Sequence, residues 1–294
     1  MMKRKVIIVE GSSVKDLDDL PGAQADTLNW RNFLRTSYGG AWGERCFSIL
    51  KNPTPDMVLS CIRANRVGYL MVIFSGHGFH AIEENDDFIC LNPNKTGERH
   101  LSVHLIEENI REYASCGTLI IDACRGSEEG VKEKVVYKKA VNEGMQQRTF
   151  CRTRKIPIII ESDDSAEKTI VPDAYWMDLF LTEKKLPEKE YVNQRFTYYK
   201  NWINNCNLDV YITMKACAIT QSADEYIFEQ DGRMGGHFTC ALLDAVKQWK
   251  NQQQMPHIPY TTLNAFDDAE KLMPDSQQTP EYSPEGEEQV FAFS

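Results

Sequence analysis

Two short motifs bring together residue types that can perform covalent chemistry. Ser75-Gly76-His77-Gly78 follows the apolar run Leu70-Met71-Val72-Ile73-Phe74, and Asp122-Ala123-Cys124-Arg125-Gly126 follows Thr118-Leu119-Ile120-Ile121. A thiolate is a strong nucleophile, and an imidazole titrating near neutrality can take the thiol proton and return it to a leaving group. Such a pair suits acyl transfer through a thioester. The flanking glycines let the main chain approach a substrate closely, and the backbone N–H groups of Gly78 and Cys124 are candidate donors to an oxyanion. Each motif alone carries little, since Gly-His-Gly turns are common loops and buried free cysteines usually serve packing. The signal lies in the pair, 47 residues apart and each just past an apolar strand.

The elements that would hold these residues alternate along the first part of the chain. Strands are expected at Lys5–Glu10, Arg45–Leu50, Gly68–Phe74 and Gly117–Ile121, and helices at Gly22–Tyr38, Asp56–Arg66 and Val103–Tyr113. The runs in the third and fourth strands are continuously apolar, as in strands buried on both faces. This alternation predicts an α/β fold with a mostly parallel sheet and helices on both faces. At the carboxyl edge of such a sheet, neighbouring strand ends share a crevice. With strands about 4.8 Å apart, His77 and Cys124 can face one another there. Residues from 127 to about 206 break the pattern. It resumes with a strand at Asp209–Cys217, helices at His237–Lys250 and about Thr261–Met273, and a closing strand at Gln289–Phe293. One domain over residues 1–294 with a long insertion after the fourth strand is the economical organisation.

Bulk properties narrow the function classes. The chain has 294 residues, 42% hydrophobic and 26% charged, as in an ordinary globular protein. No apolar run approaches the roughly 18 residues that span a bilayer, and the apolar start is cut short at Glu10, so neither membrane nor export is expected. The net charge of −10 disfavours a nucleic-acid partner. Nine cysteines without CxxC spacing disfavour a disulfide framework and a zinc knuckle, and suit a reducing cytoplasm.

The paired motifs resemble those of the caspase-like cysteine peptidases, specifically the metacaspase, paracaspase and bacterial orthocaspase branch. Further stretches resemble that branch in order: Pro21-Gly22-Ala23-Gln24-Ala25-Asp26, Ala216 to Glu225, Gly236 to Leu243, and Gln278-Thr279-Pro280. The likeness covers roughly 5–125 and 209–294. It implies a six-stranded, mostly parallel sheet and a peptidase whose His77 and Cys124 form the catalytic dyad. It also implies an S1 pocket for a P1 arginine or lysine, built from Asp26, Ser75 and Asp122, where caspases of aspartate specificity carry Gln-Ala-Cys instead. Two carboxylates in one small pocket repel each other and are relieved by a bound cation. The resemblance further implies a protein or peptide substrate, an activator supplied by a separate protein, and a role in regulated cell death or defence. A monomer is expected. An Asp-specific caspase and a silent caspase-like scaffold stay open as alternatives.

Other features are secondary. Glu83, Glu84, Asp86 and Asp87 form an acidic cluster expected as a solvated turn; resembling metacaspases bind calcium through acidic loops, so calcium stays open, although their Asp-Gly-x-Asp-Glu stretch is missing here. His80 has no partner at metal-ligand spacing, and no resident metal or other cofactor is expected. Cys217 is expected in a strand or pocket wall, and Glu225 in a structural role. Residues 131–155 carry eight Lys/Arg against two Glu, a charge of +6 in a chain of −10. A basic segment tethered just past the nucleophile faces an acidic pocket at high effective concentration. It reads as an autocleavage site after Arg148, Arg152, Arg154 or Lys155, as a plug, or as a solvated loop.

Overall fold

The apolar runs assemble into a central sheet. The computed structural model describes residues 3–36, 39–40, 42–126, 209–227, 234–252, 260–273 and 277–291. The main sheet is built from β1 (Arg4–Gly11), β2 (Phe47–Lys51), β3 (Val67–Gly76), β7 (Ala114–Asp122), β8 (Tyr211–Lys215) and β11 (Glu281–Ser283). Its six strands run in the order β11-β8-β7-β3-β1-β2. All pairings are parallel except β11 with β8, which is antiparallel. Burial on both faces explains why β3 and β7 are continuously apolar. Val6, Ile8, Met71, Ile73 and Ile120 point to one core, which is completed by Trp30, Phe33, Phe238 and Leu243. Ile7, Val9, Leu70, Val72, Phe74, Leu119 and Ile121 point to the other, against Val58, Ile62, Ile106 and Ile110.

The first core is closed by helices α1 (Pro21–Arg35), α4 (His237–Gln252) and α5 (Thr262–Lys271), and the second by α2 (Pro55–Arg63) and α3 (Val103–Tyr113). Local chemistry sets their ends. Pro21 and Pro55 open α1 and α2, where a missing N–H costs nothing. The Ser102 hydroxyl accepts from Leu105 N at the start of α3, and Thr261 with Asn264 closes a reciprocal capping box on α5.

The caspase-like sheet and the helices on both faces agree with expectation, with shifts of a few residues at element ends. Of the closing strand expected at Gln289–Phe293, residues 292–293 lie outside the described residues, and 289–291 do not form a strand. The antiparallel edge is Glu281–Ser283, and Val290 makes only an isolated bridge to Thr261. The apolar run there packs rather than pairs, with Phe291 seated beside Trp30 and Phe33. Two small antiparallel assemblies were not legible. One joins β4 (Gly78–Ala81), β5 (Asp86–Cys90) and β6 (His100–Ser102); the other pairs β9 (Glu225–Ile227) with β10 (Met234–Gly236). The connection from β7 to β8 holds residues 127–208. These lie outside the described residues, as do all four proposed cleavage positions.

Gly76 lies opposite Gly11 in the β1–β3 register. A Cβ on Gly76 would sit 2.9 Å from the Gly11 Cα and carbonyl oxygen and 2.8 Å from Phe74 Cζ. Gly76→Ala is therefore expected to cost about 1–3 kcal/mol, read as a lowered urea midpoint with an unchanged m-value in a Cys124→Ala background. An unchanged midpoint would show that the two strand ends have room to part.

Candidate active site

The site grows from the ends of β3 and β7. Their register sets Ser75 opposite Asp122. His77 follows one residue beyond β3, and Cys124 two beyond β7. Both side chains line a single cleft of about 40 Å³ at the carboxyl edge of the sheet. Gly78 opens β4, and a Cβ there would come within 3.0 Å of the Cys124 carbonyl oxygen and 2.9 Å of the Phe88 oxygen. Glycine therefore lets the histidine turn pack directly on the cysteine loop.

His77 Nε2 lies 2.6 Å from the backbone carbonyl oxygen of Asp18. A carbonyl oxygen can only accept, so Nε2 carries the proton and Nδ1 is the basic nitrogen of the neutral ring. The Cys124 thiol is partly exposed, with its Sγ 3.8 Å from the carbonyl oxygen of Ala223. Cys217 is buried, its Sγ directed at the carbonyl oxygens of Ala123 and Gln221, and burial pushes its thiol up to about 12. It is a wall behind the cysteine loop, inert as a nucleophile.

The acidic wall comes from four elements. Asp26 of α1 is fully buried behind Ser75, whose hydroxyl donates to Asp26 Oδ2 at 2.7 Å. Gly236 N donates to both Asp26 oxygens at 3.0 and 3.1 Å, and Thr239 N donates to Asp122 Oδ2 at 2.9 Å. The β9–β10 hairpin brings Gly235 and Gly236 against both carboxylates. A Cβ on Gly235 would meet Asp26 Oδ1 at 2.5 Å, and one on Gly236 would meet Asp122 Oδ2 at 2.3 Å. Asp224 and Glu225 also line the cleft, and among the described residues no Lys or Arg does. Burial pushes the Asp26 carboxyl well up, reinforced by the charges of Asp122 and Glu225 and opposed by the Ser75 and Gly236 donors. Burial, with the Asp224 charge, pushes Asp122 up to about 6. Burial and mutual repulsion thus both favour the neutral acid form within the pair.

The sequence-predicted residues His77, Cys124, Gly78, Ser75, Asp122 and Asp26 thus converge. Three contributors were missed. Asp18 acts through its backbone oxygen, which leaves no side-chain signal. Asp224 and Glu225 precede and open a hairpin that pairs only in three dimensions. Glu225, expected to be structural, does bind the Ala23 N–H at 3.1 Å near the start of α1, and it faces the cleft as well. The acidic cluster is also corrected. Glu83 and Glu84 lie in an exposed turn, but Asp87 is buried on β5 among cations, with Arg125 and Lys215 both within 2.9 Å. Among the described residues no group of three or more His, Cys, Asp or Glu is arranged to hold a metal ion.

The caspase domain family matches residues 3–289. The chain belongs to the caspase domain family. This places it among the cysteine peptidases, with the fold expected of them. Among solved structures the caspase domain is similar to protein GSU0716 from Geobacter sulfurreducens, at 14% identity and a TM-score of 0.50 over 95% of this chain and 92% of that one. It is also similar to caspase-1 from Spodoptera frugiperda, at 11% identity and a TM-score of 0.48 over 95% of this chain and 87% of that one. No curated protein matches the chain. Among the described residues no helix of the caspase domain is long and apolar enough to cross a membrane.

A carboxyl whose pKa is raised by folding binds its proton more tightly in the folded chain. That stability is complete below the ordinary value of 3.8 and is lost as pH rises through about 6 for Asp122. Asp122→Asn keeps an acceptor for Thr239 N and removes the charge. It is expected to be more stable than the parent by about 2–3 kcal/mol above pH ~7 and to converge on it below pH ~4. Thermal melts at the two pH values check this, and an equal midpoint at both would mean that no proton is held there.

Proposed function

We propose that this caspase domain is an active cysteine endopeptidase that cleaves after arginine or lysine. The observation that carries the reading is one cleft holding His77, Cys124 and a buried acidic wall, with no Lys or Arg lining it among the described residues. In the proposed reaction His77 Nδ1 takes the Cys124 thiol proton, and the thiolate attacks the scissile carbonyl carbon. The Gly78 and Cys124 N–H groups stabilise the oxyanion. Collapse breaks the C–N bond, His77 protonates the departing amine, and a thioester remains. Water, deprotonated by His77, then releases the acid and restores the thiol.

The P1 cation takes the place of the proton on Asp26 and Asp122, with Ser75 orienting Asp26. Residues 131–155 supply basic P1 candidates in cis, and autoprocessing after Arg148, Arg152, Arg154 or Lys155 is part of the proposal.

Peptide libraries profiled with wild-type protein are expected to give P1 Arg or Lys. Cys124→Ala and His77→Ala abolish turnover, and Asp122→Ala lowers it on Arg substrates by orders of magnitude. Best cleavage after P1 aspartate would overturn the acidic-wall argument. On incubation, mass spectrometry is expected to find new termini between 131 and 155 in wild type and none in Cys124→Ala. An intact wild type that still cleaves added peptides would remove autoprocessing from the scheme.

A further inference from the structure

Outside the cleft, the densest polar cluster centres on Asp87. This carboxylate belongs to β5, in register with His80 of β4, and β4 starts at the residue after His77. Arg125 immediately follows Cys124, and its guanidinium grips Asp87 bidentately, Nε to Oδ1 at 2.9 Å and Nη2 to Oδ2 at 2.9 Å. His80 Nδ1 lies 2.9 Å from Asp87 Oδ1, and Lys215 Nζ donates to Oδ2 at 2.6 Å. The remaining Arg125 nitrogen donates to the Cys217 carbonyl oxygen at 3.0 Å and pairs with Glu281 on the edge strand. The main chain adds three bonds at 2.9 Å: Arg125 N to Gln221 O, Thr220 N to Arg125 O, and His80 N to Gly126 O.

Cys124 itself lies in irregular backbone past the end of β7, where no sheet ladder fixes it. A nucleophile and its base must be held to within about 0.5 Å to react efficiently. The strand carrying the histidine and the loop carrying the cysteine are separate pieces of chain. Among the described residues, Asp87 is the side chain that binds both, through His80 on one and Arg125 on the other. A planar fork on a carboxylate fixes direction as well as distance, which a lysine in place of Arg125 would not do. Burial makes the pair hard to dissolve in water and costly to break on one side only.

We propose that Asp87, through its bidentate pair with Arg125, is a positioning residue that sets the Cys124 loop against the His77 turn. This rests on the reading of His77 and Cys124 as the reacting pair. Neither Asp87 nor Arg125 touches substrate in this scheme.

The test measures peptide turnover and, independently of any substrate, the pH profile of Cys124 alkylation by iodoacetamide. The proteins are wild type, His77→Ala, Asp87→Asn, Arg125→Lys and the Asp87→Asn/Arg125→Lys double variant. Turnover is expressed per folded molecule, as counted by circular dichroism. Asp87→Asn and Arg125→Lys are each expected to lower kcat on the order of tenfold to a hundredfold with little change in KM. They should also shift the alkylation profile toward that of His77→Ala. The double variant should be no worse than the poorer single one, as for partners in one interaction. Unchanged kcat and alkylation in folded Asp87→Asn would overturn the proposal, as would additive losses in the double variant. If His77→Ala does not alter alkylation, the dyad reading itself fails, which is a different result. Should Asp87→Asn not fold, Arg125→Lys, which keeps the buried charge, decides by the same two readouts.

Discussion

The parallel pairing of β3 with β7 is the constraint from which the rest of the site follows. Both strands are buried on both faces, so their register is held by packing above and below as well as by the hydrogen-bond ladder. That register sets Ser75 opposite Asp122 and leaves His77 and Cys124 as the first chemically able residues past adjacent strand ends. Slipping β7 by one residue would turn Asp122 to the opposite face and thread apolar side chains out of both cores. The stability of two apolar strands is therefore also the precision of the cleft. The glycine pair Gly11 and Gly76 continues the same close approach between β3 and β1.

Burying charge at this edge has been resolved in two physically different ways. Asp87 is neutralised by cations of the protein itself, and the donors from Arg125, Lys215 and His80 outweigh the upward push of burial, so its carboxyl sits below the ordinary value. Asp26 and Asp122 are more deeply enclosed, yet among the described residues their donors are neutral, the N–H groups of Gly236 and Thr239 and the Ser75 hydroxyl. Such donors compensate part of the desolvation and none of the mutual repulsion. A carboxylate satisfied internally becomes a structural tie. A pair left short of positive charge is, in the proposed function, a seat for the P1 cation. The two clusters lie on either side of the Cys124 loop, one fixing it and the other supplying the wall beside it.

The β9–β10 pair shows how backbone closes around two buried carboxylates. Gly235 and Gly236 approach the two carboxylates more closely than any Cβ would allow, and their main chain supplies the donor to Asp26. The same segment carries Glu225 back to the start of α1, so the helix holding Asp26 is anchored to the hairpin that contacts it.

Much of this was determined by the amino-acid sequence. Continuous apolar runs specify strands buried on both faces, and their alternation with amphipathic segments specifies a parallel sheet between helices. The residues just beyond such runs then lie at the sheet's carboxyl edge, which made His77 and Cys124 legible, with Ser75, Asp122 and Asp26 added by resemblance. Only the tertiary structure decided the partners. The Asp18 carbonyl that fixes the His77 tautomer has no side-chain signature. Val290 and Phe291 pack where a strand was expected, because periodicity records burial and not pairing. Asp87 read as part of a solvated acidic turn, because a carboxylate's burial depends on whether Arg125 and Lys215, distant in sequence, fold back upon it. Local pattern reports which face of an element is apolar. Which charges meet across elements is settled by chain crossings that no local window contains.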